Sequence, residues 1–191
     1  MPSGGNLYAD KLQMAIDTMQ EKQMYSEILF YLEACESGSM FPRLLPSDNV
    51  YAMTASDAKQ SSWAAYCSPH DVVGETKINT CLGDLFSVNW MEDTENGNPA
   101  TETIGSQHES VVKKTSKSPV LEFGNMDIKK EVVGDFEGVE AVSDWYSYLS
   151  AEVKSTINKH AGTWLQDPLM NANLSTVDSR DIKLHYMYQA V

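Results

Sequence analysis

The run Ile28-Leu29-Phe30-Tyr31-Leu32, which stops abruptly in Glu33-Ala34-Cys35-Glu36-Ser37-Gly38-Ser39, constrains the fold of this chain more than any other stretch. Five consecutive apolar residues of good β propensity predict a strand buried on both faces, as in a parallel sheet. The small and polar residues that follow predict a turn at the strand's carboxyl end. In α/β sheets that end is where ligands and reactive groups collect. A thiol placed there is held by a rigid scaffold, reaches a rim, and lies close to backbone N–H groups, which is what a thiolate nucleophile requires. A half-buried structural cysteine fits the same position. The two flanking glutamates argue against that blander reading, since carboxylates are costly to bury without partners.

The rest of the chain is arranged to match. Apolar residues at Leu7, Leu12, Ile16 and Met19 predict an amphipathic helix over residues 7–23, packed on a sheet. A helix followed by the strand at Ile28 is half of a βαβ unit, so a strand ahead of it is expected. Val50 to Ala55 reads as a second buried strand whose rim, Ser56-Asp57, lies beside that of Cys35. The loop between, residues 41–49, carries two prolines and Asp48-Asn49. Residues 103–114 are predicted as a helix bearing Gln107 and a surface His108, and residues 118–125 as a last short strand. After residue 131 the character changes: Val142, Tyr146, Leu149 and Val153 keep helical spacing, and the tail is rich in Asn and Pro. A chain of 191 residues accommodates one domain, or a domain and a tail.

Charge and hydropathy exclude several classes of partner. Twenty-seven acidic residues against 14 basic ones give a net charge of −13, so nucleic acid and anionic membranes are not expected as partners. Such a balance suits an acidic compartment, where protonation relieves self-repulsion. No apolar run reaches the roughly 20 residues a membrane-spanning helix needs, and residues 1–5 read as a loop rather than a signal peptide. No histidine stands at ligand spacing beside Cys67 or Cys81, so neither a metal nor any other cofactor is expected.

The string Glu33-Ala34-Cys35-Glu36-Ser37-Gly38-Ser39-Met40 resembles the nucleophile motif of the legumains, the asparaginyl endopeptidases. The likeness continues through Tyr51-Ala52-Met53-Thr54-Ala55-Ser56, Ser61-Ser62-Trp63, Cys81-Leu82-Gly83-Asp84 and Ser87-Val88-Asn89-Trp90-Met91-Glu92-Asp93. It covers residues 1–130 well and resumes weakly at Val177-Asp178-Ser179-Arg180-Asp181. The resemblance implies an α/β fold, part of a caspase-like three-layer sandwich around a mostly parallel sheet, incomplete on its amino-terminal side. It divides the chain into the carboxyl half of a catalytic domain (1–130) and a linker with the start of an activation region (131–191), a segment that in the family lies over the active site of the zymogen.

The same resemblance supplies expectations for individual residues. Cys35 is the nucleophile, attacking the carbonyl after Asn, or after Asp at low pH, through an acyl-enzyme. Glu33, Ser62 and Asp84 line the pocket for the side-chain amide, whose two donors and one acceptor call for such groups. Cys67 and Cys81, which bracket residues 68–80, form a disulfide as in plant legumains, against the alternative of two free thiols; a disulfide implies passage through an oxidising compartment. Asn173-Leu174-Ser175 is a glycosylation sequon if the chain is secreted. Protein or peptide substrates containing Asn, cystatin-type inhibitors, and a lysosomal, vacuolar or secreted location follow in the same way. The family's catalytic histidine and a pocket arginine belong to a portion ahead of Met1. The alternative expectation is therefore an inactive fragment or isoform that serves as a binding partner.

Overall fold

The computed structural model describes residues 5–138 and 176–189. Helix α1 (Ala9–Glu21) leads into strand β1 (Ile28–Leu32), and a 3-10 helix at Ser37–Met40 follows the turn that carries Cys35. Strand β2 (Val50–Thr54) comes next, then a short strand β3 (Trp63–Ala65), a small hairpin of β4 (Val72–Val73) and β5 (Thr76–Lys77), and β6 (Gly83–Asp84). Helices α2 (Leu85–Asn96) and α3 (Ile104–Lys114), strand β7 (Leu121–Gly124) and the short helix α4 (Val133–Glu137) complete the first stretch. Strand β8 (Val177–Asp178) and helix α5 (Ile182–Gln189) form the second. The helical spacing noted over residues 142–153 and the sequon at Asn173 lie outside the described residues.

The main sheet runs β1-β2-β7, with β1 and β2 parallel and β2 and β7 antiparallel. Side chains alternate across it, as the two-residue period of a strand demands. Tyr51 and Met53 of β2, with Leu29 and Tyr31 of β1, face Phe86, Ile104 and Val111 of α2 and α3. Val50 and Ala52, with Ile28, Phe30 and Leu32, face Ile16 of α1 and Phe41. Helix, sheet and helix pair thus make three layers of a mixed α/β fold. β2 is buried throughout, whereas every residue of β1 is half-buried, less than the continuous apolar run predicts. The difference follows from position: among the described residues β1 has a sheet neighbour on one side only.

Gly124, at φ +87°, lies so close to Val50 that a Cβ would fall 2.0 Å from its carbonyl oxygen, so only glycine lets β7 close the sheet there. His108 departs from expectation. It is packed on β7 with 13% of its side chain exposed, and its Nδ1 stands 3.5 Å from a Glu122 carboxylate that also takes Tyr51 and Lys129. The amphipathic face of α3, which buries Gln107 and Val111, carries the neighbouring His108 inward with it. Among the described residues no helix is long and apolar enough to cross a membrane.

Candidate active site

Cys35 sits one turn beyond β1, and the turn is stitched to the end of β2 by two serines. Ser56 N–H donates to Ser37 Oγ (3.0 Å), Ser37 N–H to Ser56 Oγ (3.2 Å), and Gly38 N–H to Ser56 O (3.0 Å). Ser56 Oγ also donates to Ala34 O at 3.0 Å. Both serines are buried, so these bonds form in a low-dielectric setting where they rigidify the turn. Gly38 is required for the approach, because a Cβ there would meet the Asp57 backbone at 3.0 and 3.1 Å. Glu36 completes the turn in the left-handed conformation, φ 50°, with its N–H donating to Gln60 O at 2.8 Å.

The residues singled out in the sequence come together around this turn. Cys35 Sγ lies 3.6 Å from Ser62 Oγ, which is buried just ahead of β3. β6 pairs antiparallel with β3, Ala64 opposite Asp84, and so brings the Asp84 carboxylate to the same place. Glu33, at the end of β1, points to the first turn of α2. Its Oε2 accepts from the N–H (2.8 Å) and the hydroxyl (2.9 Å) of Ser87, while Oε1 is buried with no hydrogen-bond partner. A carboxylate on the free amides of a helix start is favourable. Burial nevertheless pushes the Glu33 carboxyl up to about 7; the Ser87 bonds pull it down, and the nearby Asp84 charge pushes it up again.

The second described stretch lies across this group. β8 pairs antiparallel with β3, Trp63 opposite Asp178, and Ser179 N–H donates to Ser62 O at 3.2 Å. Ser179 Oγ stands between two of the predicted pocket residues: it donates to Asp84 Oδ1 at 3.0 Å and accepts from Ser62 Oγ at 3.3 Å. Arg180 follows with an ion pair to Glu36 and a 3.1 Å hydrogen bond from Nη1 to Ser61 Oγ. Beyond it, helix α5 is held by Tyr186, whose hydroxyl accepts from Ser68 N–H at 3.0 Å. Ser68 belongs to the loop closed by a Cys67–Cys81 disulfide.

Several of these roles were not foreseen from sequence. Ser87 had a signal: it is the third residue of a helix opened by Gly83-Asp84, where a main-chain N–H is always free. Ser56 and Ser37 gave none, because serines in turns are usually solvated. The segment at 178–181 was placed over the site by resemblance alone, without roles for Ser179 and Arg180.

Comparison with known proteins identifies the fold that carries this arrangement. Residues 1–139 match the model of the Peptidase C13 family. A vacuolar-processing enzyme of Vicia sativa is 40% identical over 154 residues, covering 78% of this chain and 31% of that protein. One from Ricinus communis is 34% identical over 99% of this chain and 36% of its own length, and a legumain of Canavalia ensiformis is 34% identical over 99% and 38%. The chain therefore spans about a third of the length of the curated relatives it matches. With a family match over most of its length and relatives above 30% identity, this chain belongs to the Peptidase C13 family, the legumain family of cysteine proteases.

Proposed function

We propose that this chain carries the nucleophile and the amide-binding pocket of a thiol endopeptidase that cleaves proteins after Asn, and after Asp at low pH, in an acidic vacuolar or lysosomal compartment. The observation that carries the reading is the polar side chain of Ser179 held between Ser62 and Asp84 beside the Cys35 thiol. A substrate amide in that position meets complementary groups. Asp84 accepts from its NH2, and the Ser62 hydroxyl turns to suit either end. Glu33, whose carboxyl burial pushes up to about 7, stands next to both Ser62 and Asp84 and adds a proton-bearing group to the pocket below that pH. A side chain unable to pair would leave these buried groups unsatisfied, which is how such pockets reject analogues.

In the reaction the Cys35 thiolate attacks the carbonyl carbon after the pocket residue, the amine leaves with a proton, and water releases the acyl group from sulfur. The developing oxyanion needs N–H donors. Those of Glu36, Ser37 and Gly38 are taken by Gln60 and Ser56, whereas that of Cys35 donates to no described residue and is open to it. The test is covalent labelling of the full chain by an electrophile presented on an Asn residue, read by intact mass. Labelling at Cys35 that prefers Asn to Ala and disappears in Cys35→Ser is expected; no preference for Asn overturns the pocket.

One observation favours a second reading, that the 191 residues alone do not turn over substrate. Among the described residues, Cys35 Sγ has a hydroxyl, Ser62 Oγ, as its hydrogen-bond neighbour, and a hydroxyl is no general base. The purified chain is expected to leave an Asn-containing peptide uncleaved at acidic pH. Turnover abolished by Cys35→Ser sinks that reading and leaves the first.

A further inference from the structure

We propose that Glu36, with Ser61, forms an acidic subsite that selects arginine or lysine at the position directly after the residue held between Ser62 and Asp84. The inference rests on the reading of Ser62 and Asp84 as the pocket and extends it to the leaving-group side of the scissile bond.

The direction of the resident segment carries the argument. β8 runs antiparallel to β3, and the order along it is Asp178 opposite Trp63, then Ser179 bonded to Ser62, then Arg180 at Glu36. A peptide laid along β3 in the same sense puts its own pocket residue where Ser179 is. Its carbonyl then passes Cys35, and its next side chain points where Arg180 points. Glu36 immediately follows the nucleophile in sequence, and its carboxylate meets the residue directly after Ser179. The Arg180 guanidinium already shows the chemistry that fits there: a charge-assisted contact to Glu36 and a hydrogen bond to Ser61 Oγ.

The backbone supplies an independent reason to assign Glu36 a role. At φ 50° it occupies the left-handed region, which side chains other than Gly, Asn and Asp rarely enter. Glycine would serve the turn at lower strain. The turn itself uses the Glu36 N–H and carbonyl, which bond to Gln60 and Ser39, and leaves the carboxylate to Arg180 alone among the described residues. Strained residues of this kind gather at sites of function. When the resident segment leaves, an unpaired carboxylate beside the thiol in a chain of net charge −13 offers a place for a cationic side chain and repels an acidic one. Glu36 and Arg180 are 36% and 52% exposed, so the pair is a rim contact of modest strength.

The experiment uses the full chain with Arg180→Ala, which frees Glu36 and Ser61 of their resident cation and weakens the hold of the segment. Fluorescent peptides Ala-Ala-Asn-Xaa-Ala, with Xaa as Arg, Ala or Glu, are titrated by anisotropy at mildly acidic pH, alongside a set in which the Asn is Ala. The Arg peptide is expected to bind about fivefold more tightly than the Ala peptide, with the Glu peptide weakest. The spread should collapse on adding Glu36→Gln, with an unchanged melting temperature, and shrink with salt. Equal binding of the Arg and Ala peptides, while Asn still outbinds Ala in the pocket, overturns the subsite and spares the pocket. An Arg preference that survives Glu36→Gln also overturns it. Loss of the Asn preference with the Arg preference intact removes the pocket reading and keeps the subsite. Absence of binding by every peptide overturns both.

Discussion

Glu33 combines two duties that pull its proton in opposite directions. Its Oε2 closes the first turn of α2, a role suited to a carboxylate, while its burial beside Asp84 favours the neutral acid and raises it from 4.5 to about 7. The sign of the resulting linkage is fixed. A carboxyl whose folded-state pKa is raised contributes stability that is fully present below the unfolded value of 4.5 and is lost as pH rises through about 7. The full chain is therefore expected to lose about 3 kcal/mol over that window through this group. Glu33→Gln, which keeps an acceptor for Ser87, should remove that part of the slope in urea melts taken across the window. An unaltered slope in the variant contradicts the account. Asp84 is tested by selectivity instead. An Asp side chain in the pocket meets like charge until it takes up a proton near pH 4. In an active form the ratio of kcat/KM for Asp over Asn peptides should rise on acidification, and Asp84→Asn should flatten the rise and weaken Asn recognition. A ratio independent of pH would remove Asp84 from the pocket.

The elements show which features of a sequence travel well. Helix α1, β1, β2 and α3 were legible because their apolar periods reflect burial on one face or two, and the Cys35 turn was legible because an apolar run ended at once in small residues. The gathering of Glu33, Ser62 and Asp84 near Cys35 was expected only through resemblance. Glu33, Ser62 and Asp84 lie far apart in the chain, and nothing local to any of them signals that β6 and β3 pair. His108 was misplaced for a related reason: its burial depends on β7 and Glu122, which local spacing does not report. Two substitutions test the joints. Gly38→Ala drives a Cβ against the Asp57 and Ala58 backbone, which cannot yield as a side-chain tip would. It should cost about 1–3 kcal/mol in urea melts and alter the alkylation rate of Cys35. Reduction of Cys67–Cys81, which closes a loop with a sequence separation of 14, should cost about 3 kcal/mol and show as a fall in melting temperature.

Across the whole molecule, acidic groups face one another in pairs. Besides Glu33 and Asp84, Glu102 is pushed up to about 7 by burial and by its contact with Asp93, while Asp93 is held down by Lys114 and Ser110 against its own burial. Asp93 Oδ2 and Glu102 Oε2 are buried without hydrogen-bond partners, an arrangement that one shared proton relieves. Glu131 is likewise raised, through burial and its neighbour Glu27. Each raised group contributes most when protonated, so these groups favour the fold in mildly acidic buffer over neutral pH, against the lowered Asp57, Asp93, Glu122 and Asp127, which lose their contribution in stronger acid. Glu102→Gln is expected to narrow the gap in melting temperature between mildly acidic and neutral buffer. A gap of unchanged width sinks the shared-proton account.

Beyond its pairing with β3 and the bonds of Ser179, the stretch beside Cys35 grips the body of the protein at two further, separated points, Arg180 on Glu36 and Tyr186 on the disulfide loop. Joined by a few residues, the two grips act as a bivalent ligand: while one holds, the other rebinds at high effective concentration. Occupancy of the cleft is then a matter of avidity. Losing either grip, by opening of the Cys67–Cys81 loop or by a cut between residues 180 and 186, weakens the hold by far more than the share of one contact.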